Sequence, residues 1–157
     1  MTERSIIHAS FVIERTYEAS PARVFGAWAD PAIKARWFGE PEEFTPIGHT
    51  MDFRVGGRES TGGKVPDGPT YTYEAVYQDI IPNERIVSTY EMEMDGVRIS
   101  VSLATVQFSP AGTGTKLLYT EYGAYLDGLD APADREQGTI ELLDSLGKVL
   151  QSETATA

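Results

Sequence analysis

The amino-acid sequence predicts an α+β fold: a curved antiparallel sheet of six or seven strands packed around one long C-terminal helix. Three observations support this prediction. Residues 131–152 are the one segment long enough for a substantial helix. Most of the chain before them reads as strands joined by tight turns, and two helix-start signals follow the first strand. Strands that are consecutive in the chain and joined by short turns must be antiparallel.

The first strand and two short helices come first in the chain. Apolar and polar side chains alternate over residues 6–17, which predicts a strand with one solvent-facing side. Ser20 followed by Pro21 is a helix-start signal, because serine caps the first turn and that turn tolerates proline. Asp30 and Pro31 repeat the signal at once. We therefore expect a second short helix, which ends by Gly39.

The middle of the chain has the composition of a meander of strands. Valine, isoleucine, threonine, tyrosine and phenylalanine are enriched there, and turn residues such as Asp95-Gly96 separate the segments. The expected strands are residues 44–51, 52–59, 71–81, 85–94, 97–109 and 115–125.

Four glycines, Gly56, Gly57, Gly62 and Gly63, lie just before Lys64. They do not form a phosphate-binding loop, because the spacing is wrong, no serine or threonine follows the lysine, and no helix begins there. Paired glycines inside a strand instead favour a bulge or sharp bend, which would let the sheet curl around the helix. The curled sheet and the helix would then enclose a concave interior.

The C-terminal helix has one apolar stripe with two glycines on or beside it. Gly138 and Gly147 should each cost about 1 kcal/mol relative to alanine in a helix interior. Their presence indicates either close approach to the sheet or space kept beneath the helix. We expect the chain after Gln151 to be frayed. The stripe consists of Leu142, Leu143, Leu146, Val149 and Leu150, with Ile140 beside it.

Length and composition restrict the classes of function. A chain of 157 residues fits one domain, residues 1–157 with a core of about 5–151. The net charge of −11 argues against nucleic acid and against anionic membrane surfaces. No apolar run is long enough to insert into a membrane, and the N-terminus does not resemble an export signal. We expect a cytoplasmic protein, and a homodimer through a strand edge or the short helices stays open.

The sequence carries no signature of a metal or cofactor site. It has no cysteine, which excludes disulfides, thiolate ligands and a cysteine nucleophile. Its two histidines, His8 and His49, are not at the helical spacing of a metal site, so we expect each on a strand surface. No nucleophile elbow or dinucleotide-binding motif is present. We therefore predict no metal and no cofactor.

Five stretches carry a resemblance to a known family. They are ERTYEASPARVFGAWADPAIKARWFG, FRVGGRE, YTYEAVYQDIIPNERIV, GTKLLYTEYGAYLDG and REQGTIELLDSLGKVL. Together they resemble the SRPBCC or START-like superfamily, and within it the bacterial group related to the C-terminal domain of the activator of the ninety-kilodalton heat-shock-protein ATPase. The resemblance extends from about residue 11 to residue 150.

This resemblance implies a helix-grip fold with a cavity between the sheet and the long helix. The superfamily includes lipid and hormone carriers, polyketide-cyclase-like enzymes and chaperone activators, so the fold does not determine the function. Many relatives have a tryptophan directly after the glycine that corresponds to Gly138, whereas this chain has Thr139. That departure leaves room or polarity under the helix.

Strand alternation indicates which side chains border the cavity. The face that carries Tyr71, Tyr73 and Tyr77 is the expected inner one. Glu121 continues an apolar face, where burial could raise its pKa and make it an acid or base. The alternative is a carboxylate at the rim of the sheet, solvated or paired with Arg135 or another cation. The ligand-contacting residues we predict are Trp37, Phe38, Tyr73, Tyr90, Leu117, Tyr119, Glu121, Gly138, Thr139, Leu142, Leu143 and Leu146.

Two further ionisable residues precede the central strands. Arg54 should point outward and form a surface ion pair. Glu59 follows the double glycine, where a bulge could turn it inward, so it is the second candidate for a catalytic carboxylate. The sequence does not decide whether the Glu59 side chain points into the cavity or towards solvent.

Three functions are compatible with these patterns. The leading hypothesis is a binding protein for a small hydrophobic or amphipathic molecule, whose polar end is oriented by Tyr73, Tyr90 and Glu121. The second is a cyclase or hydrolase that uses the same pocket with Glu121 or Glu59 as general base. The third is a protein-interaction module similar to the chaperone-activating domain.

Overall fold

A computed structural model of the chain describes residues 3–39 and 41–156. It contains seven strands and three helices in the predicted order. They are β1 (Ile6–Tyr17), α1 (Pro21–Ala29), α2 (Pro31–Lys34), β2 (Thr45–Met51), β3 (Arg58–Lys64), β4 (Thr70–Ile81), β5 (Arg85–Met94), β6 (Val97–Ala111), β7 (Gly114–Leu126) and α3 (Pro132–Thr156).

The strands form one antiparallel sheet in the order β1-β7-β6-β5-β4-β3-β2. Strands β2 to β7 follow one another as a meander, and β1 lies at the edge beside β7. The helices α1 and α2 therefore belong to the connection that carries the chain from one edge of the sheet to the other. This architecture confirms the predicted α+β helix-grip fold.

The two short helices begin at the predicted caps. The Ser20 side chain accepts a hydrogen bond from the backbone N–H of Arg23 at 3.2 Å. The Asp30 carboxylate accepts one from the backbone N–H of Ala32 at 2.9 Å. These bonds satisfy donors that have no partner inside a helix, which is why polar residues precede each proline. The second helix is a single turn, with Lys34 as its last residue.

The glycine-rich segment differs from the prediction. Residues 52–57 form a turn and not a strand, so the expected strand 52–59 is wrong except for its last two residues, which begin β3. A Cβ at Gly57 would collide with the carbonyl oxygen of Asp52, so the turn requires glycine there. The irregularity in the sheet lies instead in β2, between Pro46 and His49.

The long helix α3 packs its apolar stripe against the sheet. Its most buried residues are Leu143 and Leu146. The Tyr17 hydroxyl donates a hydrogen bond to the carbonyl oxygen of Leu143 at 2.8 Å, which ties the end of β1 to the middle of α3. The helix extends to Thr156, beyond Gln151, after which the sequence predicted a frayed tail. Within the described ranges, no helix combines the length and apolar character needed to cross a membrane.

Candidate ligand-binding cavity

A cavity of about 750 Å³ lies between α3 and the concave face of the sheet. Its walls come from the segment after α2, from strands β3 to β7, and from the first half of α3. Nine of the twelve predicted ligand-contacting residues line it: Trp37, Phe38, Tyr73, Tyr90, Tyr119, Gly138, Thr139, Leu142 and Leu143.

The helix side of the cavity is open because of Gly138. No heavy atom lies within 4 Å of the position that a Cβ would take at this residue. The neighbouring Thr139 is buried, and its hydroxyl donates to the carbonyl oxygen of Arg135 at 2.9 Å. The threonine is thus satisfied within its own helix, and Gly138 leaves space beside it. The second glycine, Gly147, has no open space beside it, because a Cβ at this residue would lie 3.3 Å from the Tyr17 ring.

Aromatic rings form a continuous wall on the sheet side. The ring of Tyr73 lies 5.1 Å from that of Phe38 and 4.8 Å from that of Tyr90, measured between centroids. Trp37 continues the row at 5.7 Å from Phe38. Such edge and tilted contacts are the favoured geometries of aromatic pairs. Alternation along β4 and β5 places Tyr73 and Tyr90 on the same face of the sheet, whereas Trp37 and Phe38 come from the segment after α2.

Glu121 lies behind this wall and does not line the cavity. Its side chain is fully buried, and its two oxygens accept hydrogen bonds from Tyr119 at 2.7 Å and Tyr90 at 2.8 Å. The pKa of Glu121 is raised because burial disfavours its charged form more than the partners Tyr119, Arg135 and Tyr90 favour it. The predicted direct ligand contact is therefore corrected: Glu121 fixes the two tyrosines that line the cavity.

Arg135 connects α3 to the strands at the same end of the cavity. Its guanidinium pairs with the Asp130 carboxylate and donates to Ser100 at 2.8 Å and to the Tyr90 hydroxyl at 3.0 Å. It lies 3.7 Å from Glu121. The sequence left open a Glu121 at the rim of the sheet that is either solvated or paired with Arg135 or another cation. The pairing exists, but it is buried.

A second buried carboxylate, Glu59, lies at the other side of the site. One oxygen accepts hydrogen bonds from the Lys34 ammonium and the Tyr77 hydroxyl, both at 2.6 Å, and the other is 2.8 Å from Nε2 of His49. Glu59 thus points inward, behind the cavity surface that Lys34 and Tyr77 form. His49 is half-buried in this cluster, so its expected position on a strand surface is wrong.

The electrostatics of this cluster favour a buried ion pair. Burial alone would raise the pKa of Glu59, but Lys34, with further hydrogen bonds from Tyr77 and His49, lowers it below the ordinary value. Burial also lowers the pKa of Lys34, against the attraction of Glu59. Sequence reasoning missed Lys34, which is 3% exposed. A lysine in a one-turn helix carries no periodic signal of burial, and its partner is 25 residues away.

Two predicted contacts belong to the core. Leu117 and Leu146 are fully buried and do not line the cavity, so the structure moves both from the ligand surface to the packing beneath it. Outside the site, Arg54 forms an exposed ion pair with Asp52 at 2.8 Å, which confirms the expected surface pair.

Comparison with known proteins identifies the family. The model of the family "Activator of Hsp90 ATPase homolog 1-like protein" matches residues 18–151. The chain belongs to this family. Among solved structures, this Hsp90-ATPase-activator-like chain is similar to an uncharacterized protein from Rhizobium leguminosarum at 43% identity, covering 96% of this chain and 99% of that one, with a TM-score of 0.91. The Mll3558 protein from Rhizobium loti is 44% identical, with coverages of 92% and 99% and a TM-score of 0.85.

A more distant neighbour of this family member shares the fold alone. CalU16 from Micromonospora echinospora is 21% identical, with a TM-score of 0.63 over 99% of this chain and 90% of that one. No match was found among proteins with curated functions. The resemblance of the sequence to the activator-like group is confirmed by the family match, and CalU16 shares the fold.

Proposed function

We propose that this protein binds a small hydrophobic or amphipathic molecule in the cavity between α3 and the sheet. The observation that carries this proposal is the space of about 750 Å³ that reaches α3 at Gly138. Protein interiors are otherwise packed as densely as organic crystals. A cavity in the range of about 300–1,000 Å³, walled by aromatic and apolar side chains, has the size and character of a small-molecule site.

The aromatic wall supports the apolar part of the ligand. Phe38 and Tyr73 are only partly buried, so a ligand that enters would remove their exposed ring surface from water, and removal of apolar surface from water drives binding. The Tyr73 hydroxyl has no hydrogen-bond partner among the described residues, whereas Tyr90 donates to Glu121. Tyr73 therefore orients the polar end of the ligand directly, and Glu121 contributes by holding Tyr90 in place.

The positions of the two carboxylates favour binding over catalysis. A general base must lie within hydrogen-bond reach of the proton that it removes. Both oxygens of Glu121 and both oxygens of Glu59 already accept hydrogen bonds from the protein, and neither residue lines the cavity. For the activator role in the family name, the described residues offer no surface that gives comparable support.

The variant Gly138→Leu tests the proposal by filling the space under α3. We expect the wild type to bind the neutral dye N-phenyl-1-naphthylamine saturably, with increased fluorescence, and the variant to bind it at least about tenfold more weakly. The matched control is Gly26→Leu, because Gly26 is also a helical glycine with no heavy atom near its Cβ position but does not line the cavity.

Circular dichroism and urea denaturation of both variants separate loss of binding from loss of fold. A wild type without saturable dye binding, or a folded Gly138→Leu variant that binds as tightly as the control, contradicts the proposal. Native mass spectrometry of the protein purified from its own host then gives the mass of the natural ligand.

A further inference from the structure

Both buried cations in the cavity wall are already neutralised by carboxylates of the chain. We propose that the cavity consequently selects uncharged molecules and rejects anions of the same shape, such as fatty-acid-like carboxylates or sulfonates. This inference rests on the proposed ligand-binding function and specifies the class of ligand. It follows from where the charges of the site lie.

The first cation is Lys34. Its ammonium is 2.6 Å from a Glu59 oxygen and lies over the ring of Phe38 at 4.3 Å from the centroid. The side chains of both charged residues are at most 4% exposed. An incoming anion would have to compete with a carboxylate that is fixed by two further partners, Tyr77 and His49. Lys34 is thus a poor anion receptor although it lines the cavity.

The second cation is Arg135, at the opposite end of the aromatic wall from Lys34. The guanidinium lies over the Tyr90 ring at 5.5 Å and is paired with Asp130. Glu121 is a second carboxylate at 3.7 Å. The two terminal nitrogens of the guanidinium also donate to the hydroxyl groups of Tyr90, Ser102 and Ser100. Here too the positive charge is balanced before any ligand enters.

The rim of the cavity does not supply the missing positive charge. The exposed ionisable residues of the described lining are one cation, Arg36, and three anions, Glu42, Asp134 and Glu141. The whole chain carries a net charge of −11. An anion that left water for this cavity would lose its hydration and gain no uncompensated partner, which is the costly way to bury a charge. A neutral molecule of equal shape avoids that cost.

A pair of probes that differ in charge tests this selectivity. 2-Naphthalenemethanol is neutral, whereas 2-naphthalenesulfonate has a similar ring and a permanent negative charge. We expect the alcohol to displace N-phenyl-1-naphthylamine from the wild type at a concentration at least about tenfold lower than the sulfonate. Equal displacement by both probes overturns this inference and leaves ligand binding intact. Failure of the dye and of both probes to bind overturns the proposed function, and this inference with it.

The variant Asp130→Asn tests the cause, because it removes the counter-ion of an arginine that stays charged. The asparagine keeps a side-chain oxygen for the hydrogen bond that Asp130 accepts from the backbone N–H of Ala131 at 2.9 Å. We expect the sulfonate to bind at least about fivefold more tightly than to the wild type, with the alcohol unchanged.

The matched control is Asp144→Asn, which removes one negative charge from α3 outside the cavity lining. We expect its ratio of sulfonate to alcohol affinity to stay within about twofold of the wild-type ratio, because an exposed charge is screened by salt. An unchanged ratio in Asp130→Asn, or an equal change in both variants, overturns the assignment of Asp130 as the neutralising group.

Discussion

Glu59 receives side-chain partners from three parts of the fold: Lys34 from α2, His49 from β2 and Tyr77 from β4. A charge that is removed from water is tolerated only when such partners replace its hydration. The structural consequence is that a buried ion pair connects helix α2 to the sheet. The energetic consequence is that removal of one partner leaves the other charge unpaired.

At the scale of this pair, Glu59→Gln is expected to lower the free energy of unfolding by about 3–5 kcal/mol, because it leaves the Lys34 ammonium without its counter-ion. Urea denaturation at pH 7 measures the change. The double variant Lys34→Met with Glu59→Gln removes both charges and keeps a side-chain oxygen for Tyr77. It should be more stable than Glu59→Gln alone, and a double variant that is less stable than the single one would contradict this account.

Single residues of the site were predictable to different degrees. Glu121 and Tyr90 were found because alternation along a strand places every second side chain on one face. Glu59 remained ambiguous, since its facing depends on the turn at residues 52–57, which the sequence pattern assigned to a strand. Lys34 was missed because one helical turn is too short to show which side is buried. Its burial depends on a partner that is distant in the chain.

At the scale of elements, α3 carries two glycines with opposite structural roles. Gly138 has open space where its Cβ would lie, whereas Gly147 faces the Tyr17 ring at 3.3 Å. Tyr17 cannot move away easily, because its hydroxyl is bonded to the carbonyl oxygen of Leu143. The sequence showed that both glycines weaken the helix, and it left open whether each one permits close approach to the sheet or leaves space beneath the helix. Only the tertiary contact with β1 distinguishes them.

Alanine substitutions separate the two roles. Gly138→Ala should raise the free energy of unfolding by up to about 1 kcal/mol, because alanine is the better helix former and nothing obstructs its methyl group. Gly147→Ala should show no such gain, because the same propensity benefit is opposed by crowding against Tyr17. Urea denaturation of both variants beside the wild type decides this. Equal gains at the two positions would show that Gly147 is not required for close packing.

The order of elements was predictable because it rests on local signals. The caps at Ser20 and Asp30, the turn residues between strands and the apolar stripe of α3 each report on a few neighbouring residues. The strand count was correct for the same reason. The boundary between β2 and β3 was misplaced because glycine pairs suit both a bulged strand and a turn. The need for glycine at residue 57 comes from the close approach of the Asp52 carbonyl oxygen, which only the folded backbone shows.

At the scale of the whole molecule, tyrosines connect the cavity, the sheet and α3. Burial raises the pKa of six of them. The pKa of Tyr125 rises to about 12, and the pKa values of the other five rise further. Neighbouring carboxylates add to this effect, because Glu59 and Glu121 accept hydrogen bonds from the protonated hydroxyls. The six are Tyr17, Tyr73, Tyr77, Tyr90, Tyr119 and Tyr125.

These shifts predict that the fold loses stability in alkaline solution. In the unfolded chain a tyrosine ionises near pH 10, whereas the native state holds these hydroxyls protonated. The stability that they contribute is therefore fully present below pH 10 and is lost as the pH rises from 10 towards 12 and beyond. The free energy of unfolding should fall by at least about 3 kcal/mol between pH 9 and pH 11, measured by urea denaturation.

Self-repulsion of an acidic chain would also grow with pH, but 0.5 M NaCl screens it, so the loss of stability should persist in salt. Absorbance at 295 nm should show the missing tyrosinate in native protein at pH 11 and its appearance on unfolding. If all eight tyrosines of the native chain ionise near pH 10, the buried hydroxyl network does not stabilise this fold.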